Sequence, residues 1–271
     1  MTVRPIGMFD SGFGGLTVAR ATIDLLPQED LVYLGDTARY PYGPRSLDQV
    51  TAFSLEIAEH LVDRYDIKLL VVACNTATAA ALDVLEKTLP VPVVGVIEPG
   101  VRSVIRASRS GRFAVIGTVG TIGSGAYDRA VASVKPEADI LTCACPGFVE
   151  FIERGVTTGP EITLLARRLL APLVEAEIDA LLLGCTHYPY LARVIADVVG
   201  RRVVLVSSAD ETAFALADLM QRLGLIEGDR SRLGRHEFIS SGDVRSFTRL
   251  GSRLLGPELV DATLWRPPSR W

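Results

Sequence analysis

Two cysteines stand at positions where a thiol could transfer protons. Cys74 follows the apolar run 69–73, Cys185 follows the apolar run 180–184, and small polar residues come next in both cases. Runs this short and this apolar are typical of parallel strands that are buried on both faces. In open α/β sheets, ligands bind just beyond the carboxyl ends of the strands. The sequence therefore predicts that both thiols lie at ligand-binding strand ends.

One thiol on each side of a small substrate suits proton transfer at a single carbon. One thiolate removes a proton, the facing thiol returns one from the other side, and the stereocentre is inverted. A free cysteine has a pKa of about 8.5, so a neighbouring group must assist near neutral pH. His187 lies two residues after Cys185, Asp10 ends a strand in the half that carries Cys74, and Glu153 could orient His187. A buried cysteine that acts only as a small hydrophobic residue is the simpler alternative.

The remaining cysteines offer a second interpretation. Cys143 and Cys145, together with Cys185 and His187, could supply the soft ligands of a zinc site. Their spacing differs from the C-x(2–4)-C pattern of most structural zinc sites, so we expect no metal.

A pyridoxal phosphate cofactor would need a lysine for its Schiff base. None of the three lysines falls at the carboxyl end of a predicted strand: Lys68, Lys87 and Lys135. The glycine-rich segment 12–15 does not fit a dinucleotide fingerprint, and no P-loop is present in the sequence. We therefore expect a reaction without a cofactor.

Composition limits the partners and the compartment. The 271 residues are 48% hydrophobic and 22% charged, which is typical of a globular chain with room for two cores. The net charge of −4 gives no indication of binding to nucleic acid or to anionic lipid. The N-terminal residues do not resemble a signal peptide, and no apolar run approaches the roughly 18 residues of a membrane span. We expect a cytoplasmic protein with reduced thiols.

The same order of elements occurs twice along the chain. Both Cys74 and Cys185 are preceded by the same series of predicted elements. The series is a strand with a glycine-rich turn, a second strand with a loop, a helix, and a third strand that ends at the cysteine. The residues hardly repeat, so the pattern indicates a pseudo-repeat of architecture. It predicts an α/β fold with two similar three-layer domains, mostly parallel central sheets, a pseudo-two-fold relation, and the active site in the interdomain cleft.

The junction between the halves is predicted at 97–100, with a helix over 101–108. After residue 207 the elements are too few for a third domain, so we expect them to complete the first. Domain one then comprises 1–97 plus 208–271 and carries Asp10 and Cys74. Domain two comprises 98–207 and carries Glu153, Cys185 and His187.

Five segments together resemble the glutamate racemases, within the cofactor-independent aspartate/glutamate racemase superfamily. They span nearly the whole chain: Phe9-Asp10-Ser11-Gly12-Phe13-Gly14-Gly15, Gly35-Asp36-Thr37-Ala38-Arg39-Tyr40-Pro41-Tyr42-Gly43, Ala73-Cys74-Asn75-Thr76-Ala77, Ile97-Glu98-Pro99-Gly100 and Leu183-Gly184-Cys185-Thr186-His187-Tyr188-Pro189. The second segment favours glutamate racemases over relatives that act on aspartate, hydantoins or malonates.

The resemblance implies interconversion of L- and D-glutamate, which supplies D-glutamate for peptidoglycan, in a homodimer. It implies that Cys185 deprotonates L-glutamate and Cys74 deprotonates D-glutamate, with Asp10 and His187 assisting and Glu153 near His187. Further residues are implied to hold the substrate: Asp10, Ser11, Pro41, Tyr42, Gly43, Asn75, Thr76, Thr118, Thr121, Thr186 and His187. Glu150 is an additional acid in the segment of Glu153, and the prediction takes Glu153 as the residue that faces the site.

Overall fold

The computed structural model describes residues 4–138, 140–229 and 231–267. The strands are β1 (Ile6–Asp10), β2 (Leu31–Gly35), β3 (Leu69–Val72), β4 (Val93–Gly95), β5 (Phe113–Gly117), β6 (Ile140–Ala144), β7 (Ala180–Gly184), β8 (Val204–Ser207), β9 (His236–Ser240) and β10 (Thr263–Leu264). The helices are α1 (Leu16–Leu25), α2 (Leu47–Tyr65), α3 (Asn75–Thr88), α4 (Ile97–Ala107), α5 (Val119–Gly123), α6 (Ala126–Val134), α7 (Phe148–Glu153), α8 (Pro160–Glu175), α9 (Ala192–Val199), α10 (Ser208–Leu223) and α11 (Val244–Leu255).

Within the described residues the strands form two parallel sheets. The order of the larger sheet is β10-β9-β2-β1-β3-β4, and that of the smaller sheet is β6-β5-β7-β8. In both, the first strand of the unit lies between the second and the third, with the fourth outside the third. The predicted α/β fold with two similar, parallel units is therefore confirmed. Strands β9 and β10, which come late in the chain, extend the larger sheet beside β2.

The central strands of both sheets are buried on both faces, as their apolar sequences predict. In β3, Leu69 and Val71 pack into one hydrophobic cluster, and Leu70 and Val72 pack into another on the opposite face. The residues of β7 alternate in the same way between two clusters of the smaller sheet. Side chains alternate along a strand, so layers above and below each sheet follow directly from these runs. The polar side chains that could take part in a reaction therefore lie at the ends of the strands.

The predicted helix boundary after the junction is wrong by one turn. Helix α4 begins at Ile97, four residues earlier than predicted, and includes Pro99 in its first turn. Proline is tolerated there because the first backbone N–H groups of a helix have no partner within the helix. The segment 97–100 is therefore helical and not a loop.

In the part of the chain that the structure describes, the helices fall short of the length and apolarity that a bilayer crossing requires.

Candidate active site

Cys74 lies directly after β3 and caps the N-terminus of α3. Its Sγ accepts a hydrogen bond from Ala77 N at 3.5 Å and lies 3.8 Å from Ser11 Oγ. The thiol is 5% exposed. Burial and the negative charge of Asp10 raise the pKa of Cys74 to about 12. This thiol therefore holds its proton firmly at neutral pH.

Cys185 follows β7 and has an imidazole as its neighbour. Its Sγ lies 3.9 Å from His187 Nδ1, and His187 Nε2 is 2.9 Å from Glu153 Oε1 on α7. Burial lowers the pKa of His187, but the hydrogen bonds with Cys185 and Glu153 outweigh it and raise the pKa to about 10. Glu153, and not the exposed Glu150, contacts the histidine. The second thiol thus faces an imidazolium.

Asp10 ends β1 and connects the two strand-end clusters. Its carboxylate accepts hydrogen bonds from Gly12 N at 2.7 Å and from Thr186 Oγ1 at 3.3 Å. Burial raises the pKa of Asp10, and the positive charge of His187 opposes this rise. Asp10 is therefore a buried carboxyl group that influences Cys74 by its charge and contacts Thr186, the residue after Cys185.

Three threonine hydroxyls connect α3, which follows the larger sheet's β3, to α5, which follows the smaller sheet's β5. Thr76 Oγ1 lies 3.1 Å from Thr118 Oγ1 and 3.0 Å from Thr121 Oγ1. Beside them, Gly120 N donates to Gly43 O at 3.0 Å. A Cβ on Gly120 would lie 2.8 Å from that carbonyl oxygen, so the close approach requires a glycine.

The loop after β2 is fixed by polar contacts below it. Tyr42 is buried and its hydroxyl donates to Asp36, which also accepts from Arg39 Nε at 2.7 Å. The peptide bond between Tyr40 and Pro41 is cis. These contacts hold Pro41, Tyr42 and Gly43 against the cavity.

The strand ends enclose a cavity of about 100 Å³. A cavity needs only roughly 10–15 Å³ to hold one water, so this volume has room for a small ligand. Most residues predicted to form the site line it: Ser11, Pro41, Tyr42, Gly43, Cys74, Asn75, Thr76, Thr118, Cys185, Thr186 and His187. The other three lie behind the wall, and each is hydrogen-bonded to a lining residue: Asp10, Thr121 and Glu153.

Sequence reasoning did not assign part of the lining. These residues complete the wall: Tyr40, Pro44, Val119, Cys145, Pro146, Gly147, Val149 and Glu150. Most are sequence neighbours of predicted residues, so widening each motif by a few positions would have found them. Cys145 is 2% exposed and places a third thiol in the lining.

The cysteines of the zinc interpretation have other surroundings. Cys143 Sγ donates to Leu169 O at 3.2 Å, whereas Cys145 borders the cavity. Over residues 4–138, 140–229 and 231–267, no group of three or more His, Cys, Asp or Glu side chains is arranged to hold a metal ion.

Two parallel α/β units thus each present a strand-end thiol to one small cavity. The sequence model of the family described as Asp/Glu/Hydantoin racemase matches residues 16–216. This chain belongs to that family.

Relatives and solved structures agree along nearly the full length. The chain is 52% identical to a glutamate racemase of Geobacter metallireducens over 96% of each chain, and 49% identical to that of Acidothermus cellulolyticus over 96% and 98%. A glutamate racemase isoform from Bacillus anthracis superimposes with a TM-score of 0.91 at 40% identity, covering 98% and 97%. That of Francisella tularensis, in complex with D-glutamate, gives 0.88 at 32% identity and covers 98% of each chain.

Proposed function

We propose that this protein interconverts L- and D-glutamate by proton transfer at Cα between two thiols, and so supplies D-glutamate for peptidoglycan. The observation that carries the proposal is the placement of Cys74 and Cys185 on one cavity, each at the end of the third strand of its unit. Relatives of about 50% identity over nearly the whole chain are glutamate racemases, which supports glutamate as the substrate.

In the proposed reaction each thiol acts on one face of the substrate. From L-glutamate, the Cys185 thiolate takes the Cα proton, and the electron pair moves into the α-carboxylate as an enediolate. The Cys74 thiol then gives its proton to the opposite face, which yields D-glutamate, a Cys185 thiol and a Cys74 thiolate. The reverse direction exchanges the two roles. His187 supports the charge at Cys185, and Glu153 positions His187.

The remaining predicted residues are proposed to hold the substrate. Glutamate offers two carboxylates, which need donors, and one ammonium group, which needs acceptors. Donors are available from the hydroxyls of Ser11 and Thr76 and from backbone N–H groups at the start of α3. Asp10 supplies an anionic acceptor behind Thr186. Contacts of both kinds therefore surround the cavity.

Two domains with the predicted bounds, 1–97 plus 208–271 and 98–207, are part of the proposal. The pairing of β9 with β2 and of β10 with β9 supports the discontinuous first domain. The chain then crosses between domains at the first residue of α4 and again just before α10. The homodimer rests on the family resemblance, and sedimentation of the purified chain tests it. The cytoplasmic location rests on the sequence features described above.

Deuterium incorporation tests the reaction. The purified protein is incubated with L-glutamate in D2O without added cofactor. The two enantiomers are then separated, and their deuterium content is measured by mass spectrometry. We expect D-glutamate that carries deuterium at Cα. Cys74→Ser and Cys185→Ser should each abolish racemisation while still binding glutamate. Unlabelled product, a requirement for pyridoxal phosphate, or racemisation of aspartate in preference to glutamate would contradict the proposal.

A further inference from the structure

One buried tyrosine hydroxyl lies between the two cysteine motifs. Tyr127, on α6, is 1% exposed, and its hydroxyl accepts a hydrogen bond from Asn75 Nδ2 at 2.8 Å. A Cβ on Gly184 would lie 2.9 Å from the same hydroxyl oxygen. The hydroxyl is thus packed against the residue before Cys185 while it holds the residue after Cys74.

This contact fixes the side chain of Asn75. Asn75 lines the cavity and is 2% exposed. Its nitrogen is used by Tyr127, whereas its Oδ1 has no hydrogen-bond partner among the described residues. A buried amide oxygen without a partner is unfavourable, so a ligand in the cavity is the natural source of a donor. The bond to Tyr127 selects one of the two orientations of the amide.

We propose that Tyr127 is a positioning residue that orients Asn75 so that Oδ1 accepts a hydrogen bond from the ammonium group of the substrate. The inference rests on the proposed function and names the group that Asn75 recognises. Of the polar groups of glutamate at neutral pH, the ammonium donates and the two carboxylates only accept. A neutral acceptor also holds the ammonium without cancelling the positive charge that acidifies the neighbouring Cα–H.

Tyr127→Phe tests the proposal because it removes only the hydroxyl. We expect the KM for glutamate to rise about tenfold in both directions, with kcat changed less than about threefold. Inhibition by glutarate, which has both carboxylates but no ammonium, should change less than about twofold. Tyr188→Phe is the matched control, since it also removes a buried hydroxyl, bonded to Cys145 O at 3.2 Å. In the control, the ratio of glutamate to glutarate affinity should stay constant.

A double-mutant cycle separates an effect through Asn75 from a general one. In an Asn75→Ala background, Tyr127→Phe should change the KM by less than about twofold, because the residue through which it acts is gone. The assignment is overturned if the effects of the two substitutions on the KM multiply in the double variant. It is also overturned if Tyr127→Phe weakens the binding of glutamate and glutarate equally, or leaves the KM for glutamate unchanged.

The unaltered protein provides a readout that survives a folding failure of the variant. The side-chain amide protons of Asn75, assigned by their loss in Asn75→Ala, should exchange slowly with water, because Asn75 Nδ2 donates to the buried hydroxyl of Tyr127. Exchange as fast as that of an exposed asparagine amide would overturn the proposal. Failure of the unaltered protein to racemise glutamate would instead refute the proposed function.

Discussion

Replacing Glu153 by glutamine removes the charge that faces His187. In the folded protein, the pKa of His187 is about 10, because hydrogen bonds with Cys185 and Glu153 outweigh the opposing effect of burial. Glutamine keeps the shape of the side chain and an oxygen that can accept from Nε2, but it lacks the negative charge. We therefore expect the pKa of His187 to fall in Glu153→Gln.

The size of the change follows from the contact at 2.9 Å between His187 Nε2 and Glu153 Oε1. A hydrogen bond to a charged group contributes about 1.5–3 kcal/mol, and a neutral one contributes about 0.5–1.5 kcal/mol. The difference, roughly 1–2 kcal/mol, corresponds to roughly fivefold to thirtyfold weaker proton binding by the imidazole. Because Glu153 retains some exposure, the lower part of this range applies.

NMR titration of the histidine rings measures this change directly. The chain has three histidines. Burial lowers the pKa of His60 and of His236 below the ordinary value of 6.5, whereas that of His187 is raised. The His187 signal, assigned by its loss in His187→Asn, should titrate well above the other two. Glu150→Gln is the matched control, because Glu150 is an exposed acid on the same helix at the cavity wall.

The stability of the protein should follow the same linkage. The folded pKa of His187 exceeds its unfolded value of 6.5, so the contribution is fully present below pH 6.5 and is lost as the pH rises towards 10. In Glu153→Gln this loss should end at a lower pH. The reasoning is refuted if His187 titrates together with the other histidines, or if Glu150→Gln lowers its pKa as much as Glu153→Gln does.

Three further perturbations test the packing and the electrostatics of the site. Gly14→Ala should lower kcat/KM about 100-fold, because the added Cβ overlaps Thr186 Oγ1 and His187 Nδ1, whereas Gly123→Ala, with open space around it, should leave kcat/KM within about twofold. The kcat of the D-to-L direction should keep rising with pH through pH 10, because burial and the charge of Asp10 raise the pKa of Cys74 to about 12. Coincident pH profiles of kcat in the two directions would argue against this. Tyr42→Phe should lower the free energy of unfolding by about 1–3 kcal/mol in urea titrations, since it removes the hydroxyl bonded to buried Asp36.

The strand ends of the site were predictable because they depend on local sequence. A short apolar run that stops at a polar residue is typical of a parallel strand covered on both faces, so the local sequence placed Cys74 and Cys185 at strand ends. The order of strands and loops repeats along the chain, which gave the second unit once the first was recognised. The start of α4 was predicted four residues too late, because Pro99 was expected to lie outside the helix, whereas proline disrupts a helix only beyond its first turn.

Contacts between distant segments had no local signature. The hydrogen bond between Asn75 and Tyr127 joins residues 52 positions apart. Gly14 reads as an ordinary turn glycine, yet its lack of a side chain makes room for Thr186 and His187. Whether such residues meet depends on how the two units face each other, and neither periodicity nor turn chemistry encodes that arrangement.

The two thiols occupy equivalent topological positions but unequal electrostatic ones. Cys74 caps a 14-residue helix and lies near the negative charge of Asp10, whereas Cys185 lies beside the imidazole of His187. The two units have the same arrangement of strands, so the difference between the thiols arises from the side chains around each strand end. On the proposed mechanism, one thiol starts as the acid and the other as the base for L-glutamate. A resting state with the proton on Cys74 and an imidazolium beside Cys185 is therefore poised for that direction, and the reverse direction must first move a proton between the two sides.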